Sequence, residues 1–167
     1  MSAVASAPKG LEGVVAAETE MSFIDGQKGI LEYVGIAIGD LSSNSTFEET
    51  VFLLWNKRLP RQDELQAFSE QLRQRYALPK GMEELIFSLP KSAEPMHVLR
   101  TMVSALAMHD SDPNANNVES AQMKALNILG HAPTIVAYFD RHRRGLDPVK
   151  PDASLSFAEN FLYMLNG

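Results

Sequence analysis

Cysteine is absent from all 167 residues. Its absence excludes a disulfide framework, a zinc site built on thiolates and a cysteine nucleophile, and it fits a reducing, cytoplasmic setting. Positive charge is also scarce, since 15 Lys and Arg face 21 Asp and Glu for a net charge of −6. That balance disfavours nucleic-acid backbones and anionic membranes as general partners, so an anionic metabolite would need a local basic pocket. No apolar run approaches the roughly 18 residues of a membrane span. Met1 to Ala7 has neither the positive start nor the apolar length of a secretory signal, so a soluble protein is expected. Repeats, low-complexity tracts and an evident linker are missing as well, although Asp110 to Asn117 reads as a polar loop. Asn44-Ser45-Thr46 fits the N-glycosylation pattern, but without a signal it reads better as a loop entering a helix cap.

What is present suffices for one domain. A chain of 167 residues with 45% hydrophobic content can bury about two thirds of its extended surface. The chain changes character once, near residue 44. Before it, β-type residues predict short strands over Gly13–Glu18, Ser22–Ile24 and Ile30–Val34. Asp25-Gly26-Gln27-Lys28-Gly29 between the last two supplies the glycines and the Asp of a hairpin loop. After it, the periodicity is helical. Thr46 with Glu49, or Ser45 with Glu48, forms a capping box that opens a helix to about Lys57. Leu65, Phe68, Leu72 and Tyr76 stripe an amphipathic helix over Asp63–Tyr76, and a short helix over Met82–Leu89 stops at Pro90.

Two later helices are more apolar than a surface helix requires. From Pro95 to His109, the polar residues His97, Arg100, Thr101 and Ser104 occupy one narrow stripe, with Met96, Val98, Leu99, Met102, Val103 and Leu106 around the rest. A second helix over Val118–Arg144 carries Leu126, Leu129, Ile135 and Val136, and Pro133 is expected to kink it. Its basic end, Arg141 to Arg144 before Gly145, suits the negative pole of a helix dipole, with an acidic-ligand site as the other reading. Helices apolar around most of their circumference are buried on several sides. Periodicity alone leaves a well-filled monomer interior and a subunit interface equally open.

Several motifs, taken in order, resemble the citrate synthase family. Gly10-Leu11-Glu12-Gly13 through Thr19, Ser22-Phe23-Ile24-Asp25-Gly26 and Gly29-Ile30-Leu31-Glu32-Tyr33 are similar to the opening strands of bacterial members. Phe47-Glu48-Glu49, Leu53-Leu54-Trp55 and Leu59-Pro60 follow. Pro95 to Thr101, Pro133-Thr134-Ile135-Val136-Ala137 and Asn160-Phe161-Leu162-Tyr163-Met164-Leu165 complete a resemblance over residues 9 to 167. Tyr33-Val34-Gly35-Ile36 departs from the family's Tyr-Arg-Gly-Tyr, removing a cation and a hydroxyl beside the hairpin.

The resemblance implies a mainly α fold: residues 1–9 as a flexible N-terminus, then 10–167 as the N-terminal part of a helical large domain, with a small β region over 10–43 and helices over 44–167. It implies homodimers joined through antiparallel helix pairs. Met96, Leu99, Met102, Val103, Leu106, Leu126, Leu129, Ile135 and Val136 thereby become expected interface residues. Lys9 aligns with a basic position that in some relatives reaches the phosphates of CoA. The family condenses acetyl-CoA with oxaloacetate and water into citrate and CoA, without metal or bound cofactor. Two histidines, an aspartate and several arginines carry the chemistry, in segments expected after the Asn160–Leu165 motif. No catalytic residue is therefore expected in these 167 residues, and the chain by itself is expected to be inactive. His97, His109, His131 and His142 have neither the spacing of metal ligands nor the family's catalytic contexts, and structural or solvated roles are expected. A 2-methylcitrate synthase using propionyl-CoA and a non-catalytic helical dimerisation module are the alternatives.

Overall fold

The computed structural model describes residue 15 and residues 17–167. Strands β1 (Ser22–Asp25) and β2 (Ile30–Tyr33) form the expected antiparallel hairpin, with Ser22 opposite Tyr33 and Asp25 opposite Ile30. The Asp25 carboxylate closes the loop by accepting from the amides of Gln27 and Lys28, at 3.1 and 3.0 Å. The third strand is not the expected one. It is β3 (Ile36–Ala37), which pairs with β2 across a turn at Val34 and Gly35. Both turn residues have positive φ, 51° and 76°, the geometry that two-residue hairpin turns require. A β-branched side chain is strained there. Of the strand expected over Gly13–Glu18, Val15, Ala17 and Glu18 have irregular backbone, and the remainder lies outside the described residues.

Helix α1 (Ile38–Asn44) follows at once, so the helical region begins before residue 44. Seven residues are too few to display a period, and Gly39, Ser42 and Ser43 are weak helix formers. Helix α2 (Phe47–Asn56) uses the Thr46–Glu49 capping box: the Glu49 amide donates to Thr46 Oγ1 at 3.2 Å, and the Thr46 amide donates to the Glu49 carboxylate at 2.7 Å. Glu48 is thereby free for another task. Its side chain is buried, and its carboxylate lies 3.4 Å from the Phe157 amide at the start of a later helix. Helix α3 (Gln62–Arg73) ends three residues short of the expected Tyr76, which is buried in the segment beyond it. The Arg58 and Arg61 partners of Glu64, with the Arg61 amide, hold its carboxyl down to about 2. Helices α4 (Met82–Ser88) and α5 (Pro95–Leu106) come next, and a 3-10 turn replaces the last expected turn of α5 over Ala107–His109.

Helix α6 (Val118–Arg144) matches its expected bounds and runs through Pro133. Asn117 caps it through the Ser120 amide at 2.8 Å, and Gly145 ends it at φ 74°. Helix α7 (Phe157–Asn166) opens on a Ser156–Glu159 capping box. No helix among the described residues is long and apolar enough to cross a membrane.

The long helix α6 organises the interior by serving two apolar clusters. Its C-terminal half supplies Ile135, Tyr138 and Phe139 to a core shared with Met82 and Ile86 of α4, Val98 and Met102 of α5 and Met164 of α7. Its N-terminal half supplies Leu126 to a smaller cluster with Phe68, Leu72 and Tyr76, bordered by Phe52, Trp55 and Phe157. The two halves meet where α6 passes the segment after α3. A Cβ added at Gly130 would stand 2.5 Å from Arg75 Cβ and 3.2 Å from its carbonyl oxygen, so only glycine permits this approach. One turn on, the fully buried Thr134 hydroxyl donates to the Tyr76 carbonyl at 2.6 Å.

Three substitutions test this construction in equilibrium urea unfolding. Thr134→Val strands a buried carbonyl and is expected to cost about 1–3 kcal/mol. Gly130→Ala gains helix propensity but forces the backbones apart, for an expected net loss of about 1–3 kcal/mol. Val34→Asn replaces a strained residue by one that tolerates left-handed backbone and is expected to stabilise by about 1 kcal/mol.

Candidate functional site

None of the four histidines stands in a catalytic arrangement. His97 and His109 are exposed. His142 Nε2 lies 2.9 Å from the Leu89 carbonyl, and its ring meets the Phe87 ring edge-on at 5.1 Å, which makes it a packing residue. His131 is buried beside Arg75, and burial pushes its imidazole below the ordinary value. Among the described residues, no three His, Cys, Asp or Glu side chains are grouped to hold a metal ion.

The basic run is mostly occupied within the fold. Arg141 is buried, and its Nε donates to the Asp147 carbonyl at 2.5 Å. Arg144 pairs with Asp140 at 2.9 Å and donates to the Leu165 carbonyl at 2.7 Å. Arg143 lies over the Phe139 ring at 6.0 Å. All three lie in the last turn of α6, as the dipole reading had them, and two of them also reach the Leu165 carbonyl in the closing turn of α7. Lys9 lies outside the described residues.

What the fold does expose is an apolar face where α2, α5, α6 and α7 meet. One hollow of about 260 Å³ lies between α5, α6 and α7, walled by Met96, Leu99, Val136, Phe139 and Phe161 with Asp140 and Arg143 at its rim. A second, of about 380 Å³, is lined by Phe47, Leu129, Pro133, Val136, Phe157 and Phe161 and has almost no polar wall. Val136 and Phe161 belong to both, so the two hollows form one strip. Phe47 and Phe157 floor it, their rings stacked at 4.3 Å.

The nine expected interface residues divide on this geometry. Met102, Leu106, Leu126 and Ile135 are buried in the chain's own core, so their apolar surface is already spent. Met96 and Val136 are exposed at 59% and 39%, and Leu99, Val103 and Leu129 are half-buried. Periodicity could not divide them, because a helix apolar on several sides does not say which side its own chain covers. The contribution of α2 and α7 was missed. Its signal was the spacing of Phe157 and Phe161, four apart on one helix face.

A mainly helical domain with a small antiparallel sheet, a long central helix and an exposed apolar strip is the class these features define among the described residues. The family model described as "Citrate synthase, C-terminal domain" matches residues 10–167, and this chain belongs to the citrate synthase family. The label of that model differs from the expectation of an N-terminal part; membership is the same under either. The chain is 43% identical to a citrate synthase of Haloferax volcanii over 163 residues, which cover 95% of this chain and 43% of that protein. It is 40% identical to a 2-methylcitrate synthase of Corynebacterium glutamicum over 159 residues, covering 95% of this chain and 42% of that one. Among solved structures, the citrate synthase of Pyrobaculum aerophilum superposes with a TM-score of 0.85 at 36% identity, over 94% of this chain and 41% of that chain. The chain therefore spans about two fifths of the length of the relatives it matches.

An environment-sensitive apolar dye is expected to bind the strip and brighten. Val136→Glu, at the junction of both hollows, should reduce that fluorescence while leaving far-UV circular dichroism unchanged. An undiminished signal would place the dye elsewhere.

Proposed function

We propose that this chain is the scaffold and subunit-pairing portion of a cytoplasmic citrate synthase, which condenses acetyl-CoA with oxaloacetate and water into citrate and CoA. The observation that carries the reading is the match of residues 10–167 to this family, together with an apolar strip in place of a catalytic centre. The reaction needs a base for the weakly acidic thioester methyl, a hydrogen-bond donor for the enol and cations for two carboxylates. The described histidines and arginines are engaged in packing and helix-end contacts or lie apart on the surface, so those groups belong to residues other than these. The role of this chain is mechanical. It holds a rigid helical body against which the catalytic residues are positioned, and it offers a second subunit the strip centred on Val136 and Phe161. Acetyl-CoA and oxaloacetate are substrates of the whole enzyme, and the reaction as the resemblance implies it uses no metal or bound cofactor.

A second reading rests on the relatives themselves. Proteins named 2-methylcitrate synthase are 38% and 40% identical to this chain, within the 36–43% span of those named citrate synthase. The acyl donor is then propionyl-CoA, one methylene longer.

Three experiments test these readings. CoA thiol release from oxaloacetate and acetyl-CoA is expected to be at background for the 167-residue chain; turnover by it would overturn the scaffold reading. In a full-length protein containing this sequence, turnover with acetyl-CoA supports the citrate reading, preference for propionyl-CoA supports the second, and turnover of neither leaves a non-catalytic assembly module. Sedimentation velocity is expected to show concentration-dependent self-association of the chain, weakened by Val136→Glu; a compact monomer at all concentrations would remove the pairing role.

A further inference from the structure

The close crossing of α6 over the segment after α3 contains a buried ionisable group. His131 follows Gly130 directly and is only 7% exposed. Its Nδ1 is the one buried side-chain nitrogen or oxygen among the described residues that has no hydrogen-bond partner. The Arg75 backbone is the one group acting in favour of a proton on the ring, and Gly130 packs against the same residue, at its Cβ and its carbonyl. With Nδ1 unpartnered and sealed from solvent, the site accommodates a neutral imidazole and offers a proton on that nitrogen no acceptor.

The surrounding charges have the wrong sign for a second proton. From the α3 side the Arg75 guanidinium acts on the ring, and from the 3-10 turn after α5 His109 does, both opposing a positive imidazole. No carboxylate among the described residues acts on it in the opposite sense. Asp110, beside His109 in sequence, is turned to Lys124 of α6 at 4.0 Å. Arg75 is also held in place: its Nε donates to Asn127 Oδ1 at 2.6 Å, its Nη1 to the Gln71 carbonyl at 2.5 Å, and its Nη2 meets Met123 Sδ at 2.8 Å.

We propose that His131 is an acid-sensitive latch between α6 and the end of α3: when the imidazole takes a proton, the crossing of Gly130 over Arg75 opens. The opening frees the segment that carries Tyr76, and with it the Thr134–Tyr76 bond one turn further along α6.

The linkage has a definite sign. The folded state lowers the affinity of this imidazole for protons below its ordinary 6.5, chiefly by burial. Above pH 6.5 the ring is neutral whether the crossing is open or closed, and it costs nothing. As pH falls below 6.5, the open form binds a proton and the closed form does not, so the closed form loses ground until its own lowered value is passed. Each unit of depression corresponds to about a tenfold shift toward the open form. The latch is independent of which acyl donor the enzyme uses.

The test is carried out on the 167-residue chain between pH 8 and pH 5. The imidazole Cε1 proton of His131, followed by NMR, is expected to titrate below 6.5. Amide hydrogen exchange, corrected for intrinsic rates, is expected to accelerate about tenfold per unit of depression over Gln71–Tyr76 and Asn127–Thr134 as pH falls, with α4 unaffected. His131→Phe, which fills the site without an ionisable group, should abolish the acceleration, and His97→Gln should retain it. A ring that titrates at or above 6.5, exchange at the crossing that does not respond to pH, or an acid response that survives in His131→Phe would each overturn the latch. If the Phe variant fails to fold, ring titration and exchange in the unsubstituted chain decide alone.

Discussion

The fold depends on one crossing, the passage of α6 over the chain that leaves α3. Without a side chain at Gly130, the helix comes within van der Waals reach of Arg75. At that distance, Thr134 can satisfy the Tyr76 carbonyl that the end of α3 leaves unpaired. Because buried backbone carbonyls are costly to strand, α3 has to stop near Arg73 for the carbonyl to meet its hydroxyl. The two apolar clusters on either side of the crossing then share one rigid element, since Leu126 and Ile135 both lie on α6. A long helix carrying two cores transmits a displacement at one to the other, as a packed interior does not deform gradually.

The same economy governs the helix ends. Glu48, in the first turn of α2, lies at the amide of Phe157 and so places a carboxylate at the N-terminus of α7. Arg141 and Arg144 reach the closing carbonyls of α7 from α6. Helix α7 is thus held at both poles of its dipole by charges from other helices. Its Ser156–Glu159 box and Met164 settle its register. With α7 fixed, Phe157 and Phe161 stand beside Val136 and complete the apolar strip. The strip therefore follows from polar contacts that lie outside it.

The relatives of this chain are more than twice its length, and in the proposed reading its described residues contribute shape, burial and a surface. The ionisable groups it does bury serve the fold. Arg141 is consumed by carbonyls, and burial at the crossing, beside the Arg75 guanidinium, lowers the affinity of His131 for a proton. The vulnerability of the fold is concentrated where α6 and the end of α3 approach too closely for any side chain.

The sequence by itself determined the local elements whose signals are local. Thr46 with Glu49 and Gly145 marked helix ends by hydrogen-bond chemistry confined to one turn, and Asp25 with Gly29 marked the hairpin in the same way. The motifs around Phe47, Pro95 and Asn160 were enough to place the family. Helix α1 stayed hidden because seven residues hold too little of a 3.6-residue period, and β3 because two residues hold none of a strand's. Only the tertiary structure decided which apolar side chains the chain keeps for itself. Met102 and Ile135 could not be told from Met96 and Val136 along the sequence, because burial is set by what lies across the interior. Histidine 131 illustrates the same limit, since its loss of a hydrogen-bond partner is a property of the crossing and of no segment taken alone.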